Sequence, residues 1–529
     1  MSKDNLALDS KATTTLKARY ERLTTTRQTF LDRARSCAEL TLPTLIPPEG
    51  YNSTTVYHTP WQSIGARGAN NLAAKLLLTL FPPNTPVFKL NVNEYTKAEM
   101  AGDDALKSKI DEGLAQIERT TQDEIESSGL RNPVFLALKH LVVGGNCFMY
   151  LPKDKENEDN ILVYSLNQYV CRRDRKGNLL EVITEEWVSP ETLDEEFANL
   201  LQPDVGVESG DTKRHDGNED IPIYTRFCRD GKKWKTYQEI NGQRVPGTEG
   251  SWPLHKPAFM ALRWTAVQGE DYGRGYVEEV LGDLISLEGL SKAMVESSAN
   301  AAKTIFMVAP NSSTRAQDLA EAENGDFVSG LPDDVRVLQI EKHHDLAIAE
   351  QAINRLEQRL ALAFMLNTAI QRPGERVTAE EIRFMAQELE SALGGVYSVL
   401  SQEFQLPLVI RIMDRMTKAK KLPKLPEEVV KPKVVTGLEA LGRGHDAMKL
   451  REYFMELQVF GPEAIQRLHV GEAMSRLAVA RAVDPQGLVK TNEEVQEDME
   501  NAKAQQQEQQ MGEAMSKAAP TVAKAAMGQ

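Results

Sequence analysis

Two adjacent histidines, His343 and His344, are the residues of this 529-residue chain that most invite a metal reading. Neighbours on a helix project about 100° apart, so the pair does not converge on one ion, and a solvated helix start is expected. Gly273-Arg274-Gly275 has the make-up of a turn that cradles an anion ahead of a helix. It lacks the full dinucleotide fingerprint and a clear strand–turn–helix setting, so a plain turn into a helix is expected there. Glu185-Glu186 and Glu380-Glu381 are carboxylate pairs with no catalytic spacing to anything else. Cys37, Cys147, Cys171 and Cys228 are scattered without a CxxC, which argues against a disulfide framework or a zinc site and for buried or half-buried thiols. No GxxxxGK[ST] phosphate loop, HExxH or GxSxG elbow occurs. The residues read as those of a non-enzymatic protein with no cofactor and no metal.

Charge narrows the reading further. The chain carries 62 basic and 77 acidic residues, a net charge of −15. Stable nucleic-acid binders are usually basic, because affinity comes from neutralising phosphates. An acidic protein can still handle DNA transiently, since a surface that repels phosphate lets a duplex slide without sticking. Apolar residues make up 41% and charged residues 26%, the mix of a globular protein with a large core. No stretch approaches the roughly 18 apolar residues of a membrane span. Met1 to Ser10 lacks a basic stretch followed by an apolar run, so no secretory leader is expected.

The elements that must position these groups follow from periodicity. Ala12 to Leu40 reads as an amphipathic helix with Leu16, Tyr20, Leu23, Phe30, Ala34 and Cys37 on one stripe. Arg19, Arg22, Arg27, Arg33 and Arg35 are expected on the remainder. Thr59-Pro60 fits an N-cap and first helical position for a helix rich in small residues that runs to Phe81. Helices are expected at Asp104–Ser127 and Asn132–Val143, the second with Pro133 at its first position and Gly144-Gly145 at its end. Strands follow from Cys147 to about Trp264, with hairpin turns at Lys176-Gly177-Asn178, Asp230-Gly231 and Asn241-Gly242. Gln202–Asp220 is acidic and reads as an exposed loop. Long helices are expected over Val277–Lys303 and Asp345–Ile370, each about 40 Å at 1.5 Å per residue. A capping box at Thr378 and Glu381 starts another, kinked at Gly394-Gly395, and a further helix follows Pro407. Lys418–Lys433 reads as a basic linker, and the chain from Leu438 as helical, ending in a Gln/Ala/Met-rich tail. On pattern alone, the two long central helices fit a hairpin inside one globule or packing between identical copies.

Four runs, in order, carry a resemblance. They are Thr59-Pro60-Trp61-Gln62 with Ile64 to Gly68 and Asn70 to Ala73; Glu375 to Arg383; Leu393 to Glu403; and Thr436 to Gly444. The chain resembles the portal (head-to-tail connector) family of short-tailed, autographivirus-type bacteriophages over about residues 12–470. The resemblance implies a mainly α, α+β portal fold with wing, stem, clip and helical crown, assembled as a ring, usually of twelve subunits. It implies a wing over 1–275 that includes the β region 147–264, a first stem helix 276–303, a clip 304–340 and a second stem helix 341–370. A tunnel loop 371–377, wing and backbone helices 378–437, a crown 438–500 and a variable tail 501–529 follow.

It further implies a conduit for DNA packaging and ejection at one capsid vertex, assembled in the host cytoplasm and carried in the virion. The implied partners are copies of itself, the terminase large subunit, tail adaptor and tail-tube proteins, major capsid and scaffolding proteins, internal core proteins and, transiently and without sequence preference, double-stranded DNA. No membrane is implied. Arg372 and Arg376 in the tunnel loop then either face phosphates as a valve or are solvated loop residues. Lys292, Lys303, Arg355 and Arg359 on the stem helices either reach the lumen or make interface salt bridges. The alternative is another head–tail joining protein, such as a tail-tube adaptor.

Overall fold

The computed structural model describes residues 15–51, 54–82, 87–92, 104–152, 161–189, 220–301, 305–338, 343–366, 388–389, 391–393, 395–424 and 430–434, then 453–456 and single positions between 470 and 477. The chain divides into two compact units, Met1–Gly102 with Ile117–Thr436 and Asp103–Gln116 with Gly437–Gln529. In the second unit the described residues are helical. The first unit mixes helices with four small sheets.

Its centre is aromatic. Strands β2 (Asn146–Tyr150), β3 (Leu162–Tyr164) and β10 (Phe259–Arg263) form a three-stranded sheet. Strands β4 (Tyr169–Arg173), β5 (Leu179–Val188), β6 (Ile221–Asp230), β7 (Lys233–Ile240), β8 (Gln243–Arg244) and β9 (Gly250–Pro253) form a six-stranded antiparallel one. Side chains alternate across a strand, so β6 sends Ile221, Ile223, Thr225 and Phe227 one way and Tyr224 and Arg226 the other. On the first face Phe227 stacks 5.4 Å from Phe148 and 4.7 Å from Phe259, and Trp234 meets Phe259 edge-on at 4.9 Å. Such rings contribute both buried area and directional contacts.

Helix α1 (Leu16–Glu39) covers the other face. Its Leu16 and Tyr20 join Val170, Ile183 and Tyr224 in one cluster. Arg19 and Arg226 both pair with the buried Glu181 at 2.7 Å. Glu239 accepts the Leu16 amide at 2.7 Å, placing a carboxylate at the positive end of the helix. The apolar stripe is as the spacing predicts, with one correction: Arg27 is buried. Its guanidinium donates to the carbonyls of Asn167 and Tyr169 and to the Tyr20 hydroxyl. A side chain with five donors can be buried when backbone acceptors surround it, and periodicity does not register those acceptors.

Hairpin turns hold within one residue. Asn241 and Gly242 both take positive φ, the signature of a tight two-residue turn. At the preceding hairpin the turn is Gly231-Lys232, because Asp230 still pairs with Lys233 and glycine takes the first, positive-φ position.

Helix α2 (Ile64–Leu80) starts later than Thr59-Pro60 suggests. The Trp61 amide donates to the Glu288 carboxylate at 2.9 Å. The side chain of Gln62 then accepts the Gly65 amide and donates to the Leu40 carbonyl. Helices α3 (Asp104–Ser127) and α4 (Arg131–Gly144) match expectation, although Pro133 stands third in α4; Gly145 closes it in the left-handed conformation.

Helix α5 (Tyr276–Ala301) leads to strand β11 (Ile305–Val308), a short helix α6 (Ala316–Glu321) and strand β12 (Val335–Leu338), which pairs with β11. Helix α7 (His343–Ala363) returns. Helix α8 (Gly395–Leu400) runs through a π turn at Ser401–Gln405 into α9 (Leu406–Lys418). Pro407 therefore lies within a continuous helical rod and does not precede a new helix. The wider π turn accommodates its missing donor and bulky ring.

The basic linker holds strand β13 (Val430–Val434), antiparallel to β1 (Phe88–Val92), with Pro432 opposite Leu90. A two-stranded sheet tolerates proline at an edge. The Thr378 capping box, most of Gln202–Asp220 and almost all of the chain beyond 434 lie outside the described residues.

Candidate functional site

Cys37, Cys147, Cys171 and the buried His140 offer little chemistry at neutral pH. Burial pushes the Cys37 thiol up to about 12 and Cys171 to about 11, and Cys147 higher still. Burial, with the Lys139 charge adding to it, lowers His140 to about 4 and so keeps it neutral. Three of the thiols are buried and Cys228 is half-buried. Gly273-Arg274-Gly275 leads into α5, with Arg274 bridged to Thr265, and its glycines allow close backbone approach. The Gly273 amide is taken by Asn146 Oδ1 at 2.7 Å, and a Cβ on Gly275 would stand 2.6 Å from the Val143 carbonyl oxygen. Arg274 pairs with Glu270 and Glu278. His343 and His344 open α7.

The interest shifts to the α5–α7 hairpin. Tyr276 at the start of α5 donates to the Ala363 carbonyl at the end of α7, and Asp283 pairs with Arg359, so the helices run antiparallel. Val277, Leu284 and Leu287 of α5 are fully buried, as are Leu360 and the following Phe364. Tyr276 and Phe364 meet edge-on at 6.1 Å. The burial covers only one side of the pair. Ile285 and Val295 on α5, and Ile348 and Leu362 on α7, are half or more exposed. The segment between the helices exposes Phe306, Met307, Leu331 and Phe327, the last completely.

Helix α7 is expected to reach Ile370 but ends at Ala363. Met365 takes a left-handed φ of 53°, and the Leu366 amide donates back to the Ala361 carbonyl at 2.7 Å. The stop is set from α2. Gly68 leaves room for Phe364, whose ring would lie 2.3 Å from a Cβ there. One turn on, Asn71 Nδ2 donates to the carbonyls of Phe364 and Met365 at 3.0 and 3.2 Å. A further turn on, the Lys75 ammonium donates to the Met365 carbonyl at 2.8 Å and lies 3.5 Å from the Glu388 carboxylate. Burial draws Lys75 below the ordinary lysine range, and Glu388 opposes that pull. Cationic donors suit the negative end of a helix. None of Gly68, Asn71, Lys75 and Glu388 is singled out by sequence chemistry. Gly68, Asn71 and Lys75 form a small-then-polar stripe at three- and four-residue spacing on α2, and Glu388 carries no local signal.

The predicted channel residues fall as follows. Lys292 on α5 and Arg355 on α7 are exposed, and neither makes an ion pair among the described residues. Arg359 is bound to Asp283 of the same chain at 2.6 Å, with its side chain 64% exposed. Lys303, Arg372 and Arg376 lie outside the described residues.

The family model for bacteriophage head to tail connecting protein matches residues 13–489. The portal protein of Escherichia phage T7 is 41% identical over 94% of this chain and 91% of its own length. That of Enterobacteria phage T3 is 40% identical over 91% and 89%, and that of Enterobacteria phage SP6 is 31% identical over 95% of each. Among solved structures, a chain from the virion of a native gene transfer agent particle aligns over 79% of this chain and 89% of its own, at 11% identity and a TM-score of 0.34. The sequence relatives, which span nearly the whole chain, decide the assignment: this chain belongs to the bacteriophage head-to-tail connecting protein family, and its role is that of a portal protein.

Proposed function

We propose that copies of this chain pack flank to flank into a closed ring, of twelve subunits by family analogy, at one capsid vertex. The ring surrounds a channel through which DNA is packaged and later ejected. In this reading α5 and α7 are the stem (276–303 and 341–370), 304–340 is the clip, 1–275 with 378–437 the wing and backbone, 438–500 the crown and 501–529 a variable tail. The observation that carries it is the run of uncovered apolar side chains along Ile285, Val295, Ile348 and Leu362. A subunit burying these only against its neighbours gains roughly 25 cal/mol per Å² of apolar area. A head-to-tail interface closes when one flank complements the other.

Every lining side chain is repeated around the axis, so a single charge becomes a ring of charge. Lys292, Lys303 and Arg355 are the candidates for such rings on the stem, and Arg372 and Arg376 in the tunnel loop 371–377 for a valve on the phosphates. Arg359 serves the hairpin itself. The net charge of −15 favours transient, sequence-independent passage of DNA over tight binding. The clip, with its exposed Phe306 and Phe327, suits the docking first of the terminase large subunit and then of tail adaptor and tail-tube proteins. Scaffolding, major capsid and internal core proteins would meet other faces during assembly in the host cytoplasm.

The test is assembly. Ile348→Asp with Leu362→Asp is expected to leave the subunit folded by circular dichroism and to abolish rings in negative-stain electron microscopy. Intact rings from this variant would refute the flank assignment.

A further inference from the structure

We infer that Lys75 is a positioning residue of the portal: its ammonium, held inside the first unit, clasps the turn after α7 to Glu388 of the helical arm and so ties both flanks of the stretch 367–387 to α2. The consequence for DNA rests on the reading that this stretch carries the channel-facing Arg372 and Arg376; the clasp itself does not.

The geometry is specific. Lys75 is 4% exposed on a helix whose other buried residues are almost all apolar or small. A buried ammonium is costly unless each donor has a partner. An aliphatic side chain would fill the same position without that cost. The partners stand on either side of residues 367–387 in the sequence. Met365 O lies 2.8 Å from the ammonium and the Glu388 carboxylate 3.5 Å from it. Asn71 takes the neighbouring carbonyls of Phe364 and Met365, so the end of α7 is held by two side chains one turn apart.

The backbone is bent to fit. Met365 sits at a φ of 53°, which a non-glycine residue keeps only when its surroundings impose it. The next residue, Leu389, is fully buried, so the arm is packed against its own subunit beside Glu388. At the far end of α2, Gln405 donates to the Leu80 carbonyl at 2.6 Å, so the same helix holds the arm at two points. One rigid, buried helix thus sets the spacing between the hairpin base and the arm.

The test uses full-length rings and phage particles assembled with variant subunits. Lys75→Met keeps length and removes charge, Lys75→Arg keeps charge, and Glu388→Gln weakens the pair while leaving Lys75 in place. Rings of Lys75→Met are expected to form with unchanged subunit number. Amide exchange is expected to speed up at 364–366 and 388–393 but not along 64–72. Genome-filled particles are expected to fall about two- to thirty-fold, the range of couplings carried by positioning residues. Lys75→Arg should restore most of the filling. Glu388→Gln should reproduce part of the loss and add nothing to Lys75→Met, because both break one contact.

Unchanged exchange at 364–366 and 388–393 in Lys75→Met and Glu388→Gln would overturn the clasp. So would a loss of rings in Lys75→Met and Lys75→Arg alike, which would make the residue merely structural. Arg372→Ala with Arg376→Ala separates the two ideas. If that variant and Lys75→Met both package normally while exchange still speeds up at the two ends, the clasp stands and the channel assignment of the loop falls.

Discussion

Two regions of the first unit solve the burial problem in opposite ways. Between the three- and six-stranded sheets, Phe148, Phe227, Phe259, Trp234 and Trp252 stack on one another and are nearly sealed from solvent by their own chain. In the α5–α7 hairpin and its insertion, Phe327, Phe306, Leu362 and Ile348 remain in the open. Both regions are rich in large apolar residues, so composition does not separate them. The sheets enclose their apolar faces between two layers and α1. A two-helix hairpin has no second layer beyond its base, where α2 and Phe364 close it. The lesson is that the sheet region folds as a subunit property, while the hairpin is finished only by a second body. In the proposed ring that body is the neighbouring copy.

That contrast can be broken by substitution. The largest effect is expected in the sheets: Phe227→Ala removes a ring buried among four others and should cost about 3–5 kcal/mol of subunit stability, read from urea unfolding. A loss below about 1 kcal/mol would mean that the cluster is loosely packed after all. At the base of the hairpin, the Asp283–Arg359 pair is exposed on the arginine side. A double-mutant cycle with Asp283→Asn and Arg359→Ala should give a coupling of about 0.2–1 kcal/mol, shrinking with added salt. A larger, salt-insensitive coupling would show that solvent is excluded there in the assembled state. The smallest effect is expected at the tip. Phe327→Ser should leave subunit stability within about 0.5 kcal/mol, because its ring is already in water. A destabilisation comparable with Phe227→Ala would erase the distinction between the regions.

Much of the fold is legible in the sequence where local rules act. The limits of α3, the ends of β4 and β7 and the turn at Asn241-Gly242 follow from spacing and turn chemistry. Three misses share one cause, which is that a distant partner decided the local conformation, whereas Pro407 and the Gly231-Lys232 turn were decided locally by a π turn and a glycine. Glu288 took the Trp61 amide and delayed α2. Asn71 and Lys75 took the carbonyls just beyond α7 and ended it early. Leu90 and its neighbours paired with Val430–Val434 and made a strand of an apparent linker. At the candidate site, the charged residues on the hairpin were visible from type and position. The buried Lys75–Glu388 contact joins residues more than three hundred apart, and no spacing rule reaches that far.

The family, the absence of a nucleotide-binding loop, the acidic balance and the order of helices and strands were fixed by the linear order of residues, because each depends on composition, local pattern or runs of matching residues. Which apolar side chains are covered, which arginine is already spoken for and what ends α7 were decided only in three dimensions. Burial and hydrogen-bond satisfaction are properties of surroundings, and surroundings exist only once distant parts of the chain have come together.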